Sequence, residues 1–405
     1  MDIVLDSLNE KRFVLWEEIA RDGAQAKTIL SGNQRVEIAK LQSKIYKGNA
    51  HKHLVFAAGF ISVGKGEVEA IKKVVEQVDE CNIAVNCRAN NNEIDLSVQT
   101  VKNAKYPRLA VVFPASERLA NVMLHKKLSE IIPLAVDKAK YALDKAGNIP
   151  VDFQLAASFD AKPEFIAEIS SKLIETGIQI CHLGDTRGRI YPNETKKYFK
   201  KLLLNSNSKR YGVHFHNDLG FALMNNIEAL KAGINLVSSS WLGLAERNGL
   251  MRTELISLLL SYKNKKLKKR LGVDASQFFE FQNDLKYLKI VADKVSEFTG
   301  LSLKVTDPIV GTGVNSISTG TPFVDPKSFQ PFDPEKVLGI KQRIHITQLA
   351  SKRVITAVAE QMGISLSDIE TENILEIVKE KTFLENIPII NEDEFLKIIK
   401  TLRND

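Results

Sequence analysis

Residues 213–218 read Val213-His214-Phe215-His216-Asn217-Asp218. The run as far as His216 has the character of a β-strand, and in a strand the side chains at i and i+2 leave the same face. His214 and His216 therefore project to one side, about 7 Å apart along the chain, where two imidazoles can converge on one cation. Two polar residues closing a strand for structural reasons would show the same pattern, so the flanking chain decides between them.

That flanking chain is rhythmic. Short β-branched runs at 13–16, 53–58, 82–87, 109–113, 151–155, 179–183, 212–216 and 235–241 alternate with amphipathic runs such as 35–46, 67–78, 126–146, 163–176, 193–204 and 221–232. Pro163 and Pro192 stand at helix starts, where a missing N–H costs nothing. Gly177 and Gly233 stand at helix ends, where a left-handed residue is needed. About eight strand–helix units in some 250 residues predict an α/β protein built as a (β/α)8 barrel. A doubly wound open sheet fits less well, because no Gly-rich phosphate-binding turn follows the first strand.

The polar residues fall on one end of that frame. Arg21-Asp22-Gly23 follows the first strand, Arg88 the third and Asp185-Thr186 the sixth; His214 and His216 close the seventh, and Glu246-Arg247-Asn248-Gly249 follows the eighth. All lie at carboxyl ends of strands, the face on which barrel enzymes build their sites. Asp22, His214 and His216 make a mixed N/O set suited to Mg²⁺, Mn²⁺, Fe²⁺ or Zn²⁺ acting as a Lewis acid, with open positions for a chelating 2-oxo acid. Arg21 would stabilise charge developing on an enolate or alkoxide.

The chain has 405 residues, 44% hydrophobic and 26% charged, an ordinary globular composition. No apolar run is long enough to span a membrane, and the N-terminus has neither the basic region nor the apolar core of a signal peptide, so a cytoplasmic location is expected. Cys81, Cys87 and Cys181 show no CxxC spacing and read as reduced and buried. Much of the net charge of +7 is local, in Lys263, Lys265, Lys266, Lys268, Lys269 and Arg270. That run reads as a solvated helix end or, more sharply, as a contact for cofactor phosphates. No aromatic residues are interleaved with it, which argues against nucleic acid.

The chain is expected to divide into a barrel domain at 10–275, a linker or lid at 276–333 and a small, mostly helical C-terminal region at 334–405. Helices are expected over 277–299, 341–362, 366–380 and 391–402, and an irregular connector over 304–332. His51, His53, His125 and His182 read as surface or packed histidines, Trp16 and Trp241 as barrel residues near the mouth, and Cys87 as structural.

Arg21-Asp22-Gly23-Ala24-Gln25 resembles the LRDGEQ signature of the DRE-TIM metallolyases, the group holding 2-isopropylmalate, homocitrate and citramalate synthases and hydroxymethylglutaryl-CoA lyase. His214-Phe215-His216-Asn217-Asp218-Leu219-Gly220 is similar to its HxHNDxG, and Gly243-Leu244-Ala245-Glu246-Arg247-Asn248-Gly249 to its GIGERxG. Leu183-Gly184-Asp185-Thr186 resembles its DTxG segment, and Cys87-Arg88-Ala89, Ala58-Gly59-Phe60 and Pro308-Ile309-Val310-Gly311 resemble shorter landmarks. The resemblance implies a divalent metal on Asp22, His214 and His216. It implies Arg21, Gln25 and Glu246 as catalytic residues, and Arg21, Arg88 and Thr186 as substrate-binding ones. It also implies Claisen condensation of an acyl-CoA, acetyl-CoA first, with a 2-oxo acid, in a homodimer.

The chain departs from the family at several points. Leu250 stands where the pattern has an asparagine ligand, and Ala57 where it has a glutamate. Ala156-Ala157-Ser158-Phe159-Asp160 replaces EDATR, Ile317-Ser318-Thr319-Gly320-Thr321-Pro322 replaces HESGIH, and Gln348–Val354 replaces KHSGRHA. With the metal end kept and the substrate end rewritten, a carbon–carbon lyase or aldolase on the same site stays open, as does a non-catalytic barrel.

Overall fold

A computed structural model describes residues 2–206 and 208–404. Eight parallel strands close into one barrel: β1 (Val14–Glu17), β2 (Leu54–Phe60), β3 (Asn82–Arg88), β4 (Pro107–Pro114), β5 (Val151–Ala156), β6 (Cys181–Asp185), β7 (Tyr211–Phe215) and β8 (Leu236–Ser239). Each pairs with its neighbour in sequence, and β8 returns to β1 with Val14 opposite Leu236 and Glu17 opposite Ser239. Closure removes the free edges that an open sheet would leave. It also explains why the strands read as unbroken apolar runs: each is covered by helices outside and by packed side chains within.

The interior is filled, as in other barrels of this kind. Val14, Trp16, Val55, Ala57, Ala84, Ala110, Ile180 and Leu236 form one buried cluster, joined by Val4 from a helix at Ile3–Asn9. That helix precedes the expected rhythm. Asp2 caps it, accepting hydrogen bonds from the Val4 and Leu5 amides. The same carboxylate accepts from both terminal nitrogens of the buried Arg108 on β4, at 2.7 and 2.8 Å. Arg108 also pairs with Asp152 on β5.

The expected helices at 163–176 and 193–204 stand at Pro163–Thr176 and Pro192–Asn205, each with a proline in its first turn, and Gly177 ends the first of them with φ +116°. Two expectations need correction. The helix expected over 277–299 begins at Tyr287. Before it, Phe278 and Phe279 pack against Phe13, and Phe279 also against Tyr46 and His53, so aromatic packing overrides local helical preference. The helix expected over 341–362 begins at Lys352. Upstream of it Arg343–Ile344 pairs with Ser316–Ile317, and Ile346 bridges Ile390; Arg-Ile-His-Ile is a period-two pattern that belongs to a strand.

The chain divides into two compact units, residues 1–302 and 303–405. The second has its own core, with Ile346, Val354, Ile355, Ile374, Val378, Phe395 and Ile399 contributed chiefly by helices Lys352–Gln361, Asp368–Leu384 and Glu392–Asn404. Among the described residues no helix is long and apolar enough to cross a membrane.

Candidate active site and metal centre

Past β1 the backbone turns sharply. The amides of Arg21, Asp22 and Gly23 all donate to the carbonyl of Glu18, at 3.0, 2.8 and 3.0 Å, which sets Arg21 and Asp22 at the carboxyl end of the barrel. His214 reaches the same place from β7. His216 lies one residue beyond the strand, held by an antiparallel bridge to Leu250. The two rings are 5.1 Å apart between centroids.

These residues meet at the Asp22 carboxylate. Its Oδ2 is 3.1 Å from His214 Nε2, 3.8 Å from His216 Nε2 and 2.9 Å from Arg21 Nη1. Its Oδ1 accepts the Glu246 amide N–H at 3.2 Å. One ligand atom from each of Asp22, His214 and His216 lies within 4.8 Å of the others, and the three form a candidate divalent-metal site. The donor set fits such an ion: one carboxylate and two imidazoles, with the buried Nδ1 of His216 lacking a hydrogen-bond partner among the described residues.

The electrostatics follow from what each group faces. Burial works against charge on Asp22, but Arg21 and the two histidines outweigh it and hold the carboxyl well below its usual range. Burial also opposes a charged His214, yet contact with Asp22 and Glu18 lifts that ring to about 9. His216 is pushed down to about 4, by burial first and then by the charge of His214.

A cavity of about 320 Å³ opens over these groups, lined also by Gln25, Thr186 and Glu246 and walled by Phe60, Val112, Leu119 and Met123. Arg21 Nη2 donates to Gln154 Oε1 at 3.4 Å, and Gln154 accepts from Asn86 Nδ2 at 2.9 Å. Thr186 Oγ1 accepts the Ala157 amide N–H at 2.8 Å. Arg88 lies outside this lining, with its side chain 57% exposed and paired with Glu93. Leu250, in the place of the pattern's asparagine, is buried and offers no donor atom. Cys87 is buried and its thiol is pushed up to about 12 by that burial, which suits a structural role. The lysines and arginine at 263–270 are exposed and contribute nothing to the cavity.

Motif residues outside the ligand set tie the β7 and β8 loops together. Arg247 Nε and Nη2 donate to Asp218 at 2.9 and 3.1 Å, and Nη2 also to the Thr186 carbonyl at 2.7 Å. Asn217 N–H donates to the Gly249 carbonyl at 2.8 Å. Gly249 has φ +85°, and a Cβ there would sit 1.9 Å from the Gly243 carbonyl oxygen, so the turn admits glycine alone. Sequence reasoning missed the buried Glu18 and Asn86, the cavity-lining Gln154, and the apolar wall of Leu119 and Met123.

Fold and site together define a (β/α)8 barrel with a candidate two-histidine, one-aspartate metal site at its carboxyl end. The family model described as HMGL-like matches residues 13–285, and the chain belongs to that family, the DRE-TIM metallolyases. It is 24% identical to a 2-isopropylmalate synthase of Oceanobacillus iheyensis over 404 residues, covering 97% of this chain and 74% of that one. It is 26% identical to homocitrate synthase AksA of Methanocaldococcus jannaschii over 401 residues, covering 97% and 91%. Among solved structures, the hydroxymethylglutaryl-CoA lyase of Bacillus subtilis superposes with a TM-score of 0.57 at 20% identity, over 72% of this chain and 94% of that one.

Proposed function

We propose that this protein joins an acyl-CoA, acetyl-CoA first, to a 2-oxo acid by Claisen condensation and releases free coenzyme A. The observation that carries the reading is the meeting of Asp22, His214 and His216, with Arg21 beside them, on the wall of one cavity. A divalent ion held there would supply Lewis-acid polarisation of the acceptor's keto group.

The protein's own groups do the rest. Arg21, fixed by Asp22 and Gln154, faces the oxygen on which negative charge develops. Thr186 uses one of its two acceptor lone pairs on the Ala157 amide and keeps its proton to donate to the acceptor's carboxylate. Glu246 at the rim takes the proton from the acyl methyl group, and Gln25 hydrogen-bonds the substrate beside it. The new carbon–carbon bond forms at the keto carbon, the resulting alkoxide takes up a proton, and water then cleaves the thioester to a carboxylate and the thiol. The walls of Phe60, Val112, Leu119 and Met123 suit an acceptor with an apolar side chain. For Arg88 to bind substrate, its guanidinium would have to leave Glu93. We place the protein in the cytoplasm, in keeping with three buried free cysteines, and take it to be a homodimer on the family resemblance, which light scattering tests.

The test is thiol release from acetyl-CoA in the presence of Mg²⁺ or Mn²⁺ and a panel of 2-oxo acids. Colour above background with an apolar acceptor supports the reading, and none with any acceptor ends it. One observation favours cleavage on the same site instead: residues 317–322 of the connector contain no histidine to serve as a base. Formation of pyruvate or an aldehyde from a 2-oxo-4-hydroxy acid, without thiol release, would decide for the lyase.

A further inference from the structure

Two adjacent glutamates end the first strand and its extension, and both are fully buried. Their surroundings differ sharply. Glu17 is satisfied: its Oε1 accepts from the Ile19 and Trp241 amides, both at 3.1 Å, and its Oε2 from Thr253 Oγ1 at 2.5 Å and Gln42 Nε2 at 3.3 Å. It stitches the ends of β1 and β8 together. Glu18 has no such shell, and neither of its oxygens has a hydrogen-bond partner among the described residues. A buried carboxylate left in that state is costly unless charged or donor groups nearby repay it. Glu18 Oε1 lies 3.3 Å from His214 Nδ1, and Oε2 lies 3.7 Å from Arg21 Nε, itself buried and unpartnered. The 3.3 Å approach is off the line of a made hydrogen bond, so the pair is close but not closed.

His214 thus stands between two carboxylates, with Nε2 toward Asp22 and Nδ1 toward Glu18. Resting on the reading of Asp22, His214 and His216 as a divalent-metal site, we infer that Glu18 is a positioning residue of that site, taking the Nδ1 proton of His214 as a hydrogen bond so that Nε2 is the ligand atom. A carboxylate behind a ligating imidazole fixes the tautomer and ring orientation and makes the ligand more basic. The same side chain, through Arg21 Nε, sets the guanidinium that pairs with Asp22, so one buried acid orients a ligand and the cation beside it. A bare counter-ion for Arg21 would not need to face His214 as well.

The probe is Co²⁺ alone, titrated into the metal-free full-length protein, with calorimetry for affinity and visible absorption for ligand geometry. Glu18→Gln keeps the volume and removes the charge. It is expected to lower Co²⁺ affinity about tenfold or more and to shift the cobalt bands, and Glu18→Ala to lower affinity toward a hundredfold. Wild-type uptake with Glu18→Gln inside twofold of it and an unchanged spectrum overturns this inference alone, even if Glu18→Ala fails to fold. A wild type that takes up no Co²⁺ overturns the metal reading and this inference with it.

Discussion

Raising the pH from 7 to 9 should strengthen divalent-metal binding and weaken the metal-free fold, and one proton on His214 accounts for both. His214 lies between Asp22 and Glu18; burial opposes its charge, but those partners raise it to about 9, so it is protonated at pH 7. An incoming ion must displace that proton. Two pH units of opposition correspond to about 3 kcal/mol, or roughly a hundredfold in affinity. His216, pushed to about 4 by burial and by His214, is already neutral there and adds nothing. Affinity should therefore rise about tenfold per unit up to pH 9, with close to one proton released per ion at pH 7. For the metal-free protein the sign reverses. A histidine raised above its ordinary value of 6.5 contributes stability that is complete below 6.5 and is lost as the pH climbs through 9. Calorimetry with Mn²⁺ under nitrogen, in buffers of different ionisation enthalpy from pH 7 to 8.5, counts the protons, and urea melts of the metal-free protein follow the stability. A flat affinity with no proton released would refute the reasoning, because it would mean that His214 is neutral between its two carboxylates.

Three further outcomes follow from other parts of the molecule. Gly249→Ala should cost about 2 kcal/mol or more, because it adds a left-handed penalty at φ +85° to a clash with the Gly243 carbonyl; a loss under 1 kcal/mol in urea melts would show that the turn can rearrange. Arg108→Ala should cost about 3–5 kcal/mol by taking the guanidinium away from the buried Asp152 and from Asp2, whereas a melt within about 1 kcal/mol of wild type would mean that the remaining neighbours, His182 Nε2 at 3.9 Å from Asp152 among them, make good the loss. Under the proposed condensation, Arg21→Gln should lower thiol release about 10²- to 10³-fold while Mn²⁺ still binds; activity within tenfold of wild type would remove Arg21 from the reaction.

Much of this was legible because two independent periodicities agreed. Strand-length apolar runs separated by helix-length amphipathic ones fix a barrel, and once the barrel is drawn, every polar segment quoted from it falls at one end. The two candidate histidine ligands were legible for a simpler reason: a period of two puts His214 and His216 on one face, whatever the details of the turn that follows. Elements held by distant contacts were not legible. Residues 277–286 have helical composition, but Phe278 and Phe279 are needed against Phe13, and no local pattern records that. The helix at Ile3–Asn9 is short, and it is held by Val4 in the barrel floor and by Asp2 on an arginine some 100 residues away.

Glu18 marks the boundary between what pattern can and cannot supply. Two consecutive acids usually mean solvent, because one carboxylate beside another repels it and water screens both. At the end of a strand covered on both faces, that reading fails. Consecutive side chains point to opposite sides of the sheet, so neither face offers water, and each acid needs its own donors. Glu17 finds four of them, from Ile19, Gln42, Trp241 and Thr253. Glu18 finds a histidine and an arginine that a metal site would also need. The signal in Trp16-Glu17-Glu18 was therefore the requirement that a buried second acid have a cationic neighbour, and the nearest histidine able to serve was the one already assigned to the ion.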